Sequence, residues 1–255
     1  MGRGDLDVSW VKWESCYRIG LVCLGALMDF DHIRERVQAR GLLVRGGFHP
    51  DHEDGVPPTS DGRPARTVVM LGGAGNSFWP TFRASPEAGL AKDPLDAWTR
   101  RIAEELEDEL GATALFPFGG PPHLPFQHWA KRAEPVHASP LGLLIHPDFG
   151  LWHAYRAALS FAEVIPLPEA ESAVSPCESC SEKPCLRACP AGAFSGKGYD
   201  VPRCIGHIRG VKGSACVEMA CLARRACPVG RAYAYGPEQS RFHMAAFLRA
   251  HTPTN

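Results

Sequence analysis

The chain has 255 residues, 45% of them hydrophobic and 22% charged, with a formal net charge of -1. That is a globular composition. The near-neutral balance argues against a nucleic-acid or membrane partner recruited by bulk charge. No apolar run reaches the roughly 18 residues that a membrane span needs. The apolar stretch 19–28 is short and is closed by Asp29 and Asp31. Asp5, Asp7 and Glu14 precede it, which makes a poor signal peptide. The expectation is a cytoplasmic protein in which residues 1–28 form an extension of unassigned role.

Residues 51–64 are rich in Pro, Gly and Asp and read as a loop. Residues 67–71 are β-branched and apolar and end at Gly72-Gly73, which predicts a buried strand. The clearest helix follows. Asp93 stands at the N-cap position and Pro94 at the first helical one. Leu95, Trp98, Ile102, Leu106 and Leu110 form an apolar stripe, and Gly111 is the expected stop. A strand is expected over 112–118 and a short helix over 126–133. Strand-forming stretches are expected over 141–146 and 151–165, around the turn Pro147-Asp148-Phe149-Gly150. These pieces predict an α+β domain over 29–168. A polar linker precedes a second, cysteine-rich region over 169–255.

Eight of the ten cysteines lie within 177–227. The first group reads Cys177-x2-Cys180-x4-Cys185-x3-Cys189-Pro190. After Cys204, the second reads Cys216-x4-Cys221-x5-Cys227-Pro228. Two runs that each end in Cys-Pro follow the pattern of a bacterial two-cluster ferredoxin, in which the last cysteine of a run crosses to the other cluster. On that pattern Cys177, Cys180, Cys185 and Cys227 hold one 4Fe-4S cluster, and Cys189, Cys204, Cys216 and Cys221 hold the other. The spacings are wider than the compact form, which leaves individual assignments open. Two four-thiolate zinc sites are the alternative. Cys16 and Cys23 stand apart as ordinary thiols. Arg203, Arg209, Lys212, Arg224, Arg225 and Arg231 are read as cations that offset cluster charge.

An electron acceptor is expected just upstream. The turn brings His146, Phe149, Gly150, Trp152, His153, Tyr155 and Arg156 into one candidate site. Gly142 and Gly150 are expected to let backbone approach a flat ligand. The segment Ile145-His146-Pro147-Asp148-Phe149-Gly150-Leu151-Trp152, followed by the cysteine runs, resembles the cobalamin-dependent epoxyqueuosine reductases and reductive dehalogenases. It is similar too to the CblC-type cobalamin-processing proteins. Asp93-Pro94-Leu95-Asp96 fits the same group.

The resemblance implies a nitroreductase-like cobalamin-binding domain joined to the ferredoxin-like one. It also implies that Arg156 matches an arginine used near glutathione, and that Trp152 and Tyr155 pack on a corrin. Three features depart from the epoxyqueuosine reductases. The Ala-Gly-Leu-Gly stretch usual before the turn is replaced by Ala133-Glu134-Pro135-Val136-His137. No acid stands in Gly119-Gly120-Pro121-Pro122-His123-Leu124-Pro125, and only 28 residues follow Cys227. The expected function is therefore a reductase that passes electrons from two clusters to a bound corrinoid, with cobalamin as cofactor. The expected partner is an electron-donor protein of the ferredoxin, flavodoxin or reductase type, and nucleic acid is expected not to bind. A pure electron carrier and a tRNA-modifying reductase are the alternatives. The latter predicts that Arg224 and Arg225 contact RNA. A flavin is a further candidate ligand of the upstream domain.

Overall fold

The computed structural model describes residues 29–169, 172–195 and 198–251. The extension 1–28, with Cys16 and Cys23, lies outside them. In chain order the first half comprises α1 (Phe30–Ala39), β1 (Leu43–Phe48), β2 (Thr67–Ala74), α2 (Trp79–Arg83), α3 (Pro94–Leu110) and β3 (Thr113–Leu115). Then come α4 (Phe126–Ala133), β4 (His137–Ala138), β5 (Leu144–Ile145) and β6 (His153–Phe161). The chain is a mixed α+β fold.

One four-stranded antiparallel sheet, in the order β1-β2-β6-β3, carries this half. All of β2 is buried. Val69 and Leu71 pack with Leu159 against Trp98, Ile102 and Leu106 of α3. Val68 and Met70 pack with Ala158 against Phe126 and Trp129 of α4. Helices thus cover both faces, which is why the strand reads as a continuous apolar run and not as an alternation. Asp54 is fully buried; Arg132 and His128 hold its carboxylate at 2.6 and 2.8 Å and pin the 51–64 loop to α4.

Several elements differ from expectation. The strand begun at Thr67 runs on to Ala74. The strand expected over 112–118 is three residues long. Asp93 does not cap α3: it sits in the left-handed region (φ 44°) without a side-chain cap bond, and the Pro94 start is what holds. Of the strand-forming stretches expected over 141–146 and 151–165, Leu144–Ile145 and His153–Phe161 are strand. β5 pairs with β4, and β6 enters the sheet between β2 and β3. β6 is held there because residues 157–161 bury both of its faces.

The second half comprises α5 (Pro176–Ser179), α6 (Pro184–Arg187), β7 (Phe194–Ser195), β8 (Gly198–Tyr199) and α7 (Val201–Arg209). It ends with α8 (Ser214–Glu218), α9 (Leu222–Arg225) and α10 (Pro237–Ala250). The last helix returns to the first half. Glu238 accepts from Trp79 Nε1 at 3.2 Å and pairs with Arg83 at 2.8 Å. Phe242 packs on Phe82, their ring centroids 5.4 Å apart. No described helix is long and apolar enough to cross a membrane.

Candidate functional site

The turn after β5 is closed by two bonds, His146 N–H to Gly150 O and Gly150 N–H to His146 O, both 2.9 Å. His146 Nδ1 accepts the backbone N–H of Asp148 at 3.0 Å, which leaves the ring proton on Nε2. The His146 ring stacks on Phe149, with centroids 4.4 Å apart. Behind them lies a guanidinium that sequence reasoning missed. Arg45 of β1 is 1% exposed and grips Glu134 through Nε and Nη2 at 2.8 and 2.7 Å. Its Nη1 donates to Gly73 O at 3.0 Å. Its carbon centre lies 5.0 Å from the ring centroids of both Phe149 and Tyr155. Tyr155 donates its hydroxyl to Glu134 at 2.7 Å.

His153 completes the network. Its Nε2 donates to Leu144 O at 3.0 Å, so Nδ1 is left to accept from Arg45 at 3.4 Å. Burial first, and then the Arg45 charge, pull its pKa down to about 3. The folded state therefore holds His153 neutral where the unfolded chain protonates it. The associated stability is complete above pH 6.5 and is lost as pH falls towards about 3. His153→Asn is expected to shallow the acid limb of a stability–pH curve over that window. His243, held down to about 4 by burial, keeps part of the slope. Urea titrations between pH 3.5 and 7 check this. For Tyr155, burial and the Glu134 carboxylate both raise the pKa, so the phenol stays neutral.

His146, Phe149, Arg45 and Glu134 line a pocket of about 360 Å³ together with Gly46, Gly47 and Asp148. His153 and Tyr155 support it from behind. The other expected residues lie elsewhere. Arg156 pairs with Asp96 of α3 and approaches Thr99, on the opposite face of the sheet. A bulge in β6, where Leu71 faces Ala157 and Gly72 faces Tyr155, leaves Arg156 as the extra residue and aims it at α3. Trp152 is 1% exposed and packs under Arg224, 4.3 Å from its ring centroid, and against Tyr235.

The turn glycine also serves a different purpose from the one expected. Gly150 has φ 57°, and a Cβ there would lie 2.1 Å from Val229 O. The open side of the turn is filled by the backbone just after Cys227-Pro228. Gly142, the other glycine expected to admit a flat ligand, borders open space, where a Cβ would meet no atom within 4 Å, and it lines the cavity of the second thiol set. Arg224 donates to Leu151 O at 2.9 Å, and Arg225 to Met219 O at 2.7 Å. Both arginines clamp this seam, so removing either would disturb folding before it reported on RNA.

The eight cysteines are free thiols and gather as two sets. Cys177, Cys180, Cys185 and Cys227 line one cleft with Pro140, Ile145 and Val229. Cys189, Cys204, Cys216 and Cys221 line a cavity of about 490 Å³ with Leu141, Tyr199 and Phe247. Burial pushes the Cys177 and Cys227 thiols up, and neighbours of their own set add to it: Cys227, Cys185 and Cys180 for the first, Cys185 and Cys180 for the second. Cys216 and Cys221 respond in the same way to Cys204 and Cys189. Backbone N–H groups oppose the rise, from Ala223 and Arg224 at Cys221 and from Val229 at Cys227. Such donors stabilise a thiolate once a metal displaces the proton. Among the described residues, no three His, Cys, Asp or Glu side chains are disposed to hold a single metal ion.

No protein-family model and no curated protein matches the chain. Solved structures do. An epoxyqueuosine reductase with an epoxyqueuosine-modified tRNA-Tyr stem loop aligns at 17% identity and a TM-score of 0.48, over 83% of this chain and 68% of that one. The epoxyqueuosine reductase from Streptococcus thermophilus aligns at 17% identity and 0.44, over 80% and 67%. The one from Bacillus subtilis aligns at 20% and 0.44, over 82% and 60%. The tRNA stem loop in the first of these overturns the expectation against a nucleic-acid partner. Net charge is a poor guide to such binding, because local exposure of cations decides it. Arg203, Arg209, Lys212 and Arg231, expected to offset cluster charge, are all exposed.

Proposed function

We propose that the chain is an iron–sulfur oxidoreductase in which two 4Fe-4S clusters deliver electrons to a small ligand in the pocket at Arg45, Glu134, His146 and Phe149. The observation that carries this reading is the sorting of the thiols. Each set takes three cysteines from one neighbourhood of the chain and one across the fold, Cys227 joining the first set and Cys189 the second. That crossing belongs to dicluster proteins. Paired zinc sites need four sulfurs converged on one ion at about 2.3 Å each, and the thiols stand apart from such an arrangement. On this reading 169–255 is the ferredoxin-like half and 29–168 the nitroreductase-like half that receives electrons.

Bound clusters supply one-electron transfer. The chain's own residues set its direction. The first set abuts the receiving half: Val229, two residues after Cys227, touches Gly150, and Phe149 beside it lines the pocket. Arg45 and Glu134 neutralise each other there and hold Phe149 and Tyr155 in place. His146 is oriented by the turn amides.

A corrin does not fit this turn. Trp152 and Arg156 face away, Gly150 is filled, and about 360 Å³ is at the low end for a small-molecule site.

Anaerobic purification tests the reading. The expected result is about eight irons and about eight sulfides per chain, with a broad absorption that bleaches under dithionite. About two zinc ions per chain and no sulfide would overturn it. Titration with micromolar cobalamin is expected to leave both spectra additive. The same preparation, given an epoxyqueuosine-bearing tRNA stem loop, reads whether the pocket serves the substrate seen with the structural neighbour.

A further inference from the structure

The two thiol sets differ in what lies outside them. The first faces inward, onto Pro140, Ile145 and the seam at Gly150. The second is carried on α7 and α8, which hold Cys204 and Cys216 and reach the surface. Between these helices runs the 3-10 turn Val211–Gly213. It is fixed by Gly210 N–H to His207 O at 3.1 Å and Gly213 N–H to Gly210 O at 2.9 Å. The turn lifts Val211 to 95% exposure, and Met219 at the end of α8 is 46% exposed. Arg209 and Lys212, which flank Val211 in the chain, are exposed, as is Arg203 near the start of α7. Arg209 also reaches His251 O at 3.5 Å. The acids nearby are Glu218 and Asp200, and Asp200 is occupied in capping α7 at the Arg203 N–H.

We infer that this face, centred on Val211 and flanked by Arg209 and Lys212, is the docking site of an acidic electron-carrier protein that reduces the second cluster. The inference rests on the reading above that the second set holds a cluster. An apolar centre with a charged rim is the anatomy of a small protein–protein interface. Electron-transfer encounters sit at the small end of interface sizes, where steering by charge sets the rate. A nucleic-acid backbone would reward a denser row of cations and gain nothing from an exposed valine. The step itself is simple: the reduced carrier gives up one electron, the oxidised second cluster accepts it, and no bond or proton changes hands.

The test uses the full-length, cluster-loaded protein. Flavodoxin hydroquinone, an acidic flavin protein, is mixed with it in a stopped flow and cluster bleaching is followed. At low salt the rate is expected to be fast and to fall roughly tenfold or more as salt is raised. Lys212→Glu with Arg209→Glu is expected to lower the low-salt rate constant by about tenfold. Val211→Glu is expected to lower it as well, because it buries a charge in the contact. Iron content and reduction by photoreduced deazariboflavin, which is small and uncharged, should not change.

Flavodoxin rates insensitive to salt and to all three substitutions would overturn the proposal. So would a loss of tRNA stem-loop binding in the variants with flavodoxin rates intact, since the face would then be an RNA site. Absence of iron and sulfide from the wild-type protein is a separate failure, of the cluster reading itself.

Discussion

Cys177→Ala combined with Cys189→Ala is expected to remove both clusters, leaving almost no iron. Cys189→Ala combined with Cys204→Ala is expected to remove only one and leave about four irons per chain. The two double variants delete the same number of thiols, and both remove Cys189. They differ in how the fold distributes what is lost. Cys177 and Cys189 are neighbours in sequence but belong to different sets, whereas Cys189 and Cys204 line the same cavity. If each Cys-Pro run held its own cluster, the order would reverse, and the Cys177/Cys189 variant would keep the second cluster. Iron and sulfide analysis, with the spectrum of the reduced protein, separates the outcomes. Cys227→Ala adds a control: it should empty the first set although it lies in the last run.

Arg45→Met alone is expected to cost about 3–5 kcal/mol of stability, because it strands the Glu134 carboxylate in a buried site. The Glu134 side chain is 12% exposed and its partner 1%. Glu134→Leu alone should cost a similar amount by stranding Arg45. The double variant Arg45→Met/Glu134→Leu should recover most of the loss, since an apolar pair of comparable volume replaces the ion pair. Chemical denaturation of the three variants measures the coupling directly. If the single and double variants were all near wild type, the pair would be solvated and the pocket floor would be something other than a fixed network. Loss of ligand binding in the double variant, despite its recovered stability, would locate the pair in the site as well as in the fold.

Much of the first half was legible because its signals are local. The stripe from Leu95 to Leu110 and the Gly111 stop gave α3, and the 126–133 pattern gave α4 with its bounds. Asp93 does not cap because its backbone is left-handed (φ 44°, ψ 46°) and not in the extended region a cap uses. At the site, a turn of four residues was expected to gather everything near it. Strand geometry divides that group. The bulge in β6 breaks the strand alternation, so Tyr155 stays with the pocket side while Arg156 joins Ala157 on the side of α3. Trp152 was claimed by the seam with the second half. Arg45 and Glu134 could not be found at all from the sequence, because they stand 89 residues apart and meet only where β1 is laid against β2 and the chain leaves α4.

The sequence by itself determined the chemistry available: eight thiols in two Cys-Pro runs, a histidine turn beside them, and helices whose apolar faces dictate a core. Those are properties of spacing and residue type, and they survive any arrangement of the chain. The tertiary structure decided which thiols share a cavity, which side of β6 faces the pocket, and that Gly150 receives the Val229 backbone instead of a ligand. Each of these depends on pairings between distant segments, where burying a sheet face or filling a close approach outweighs any local preference.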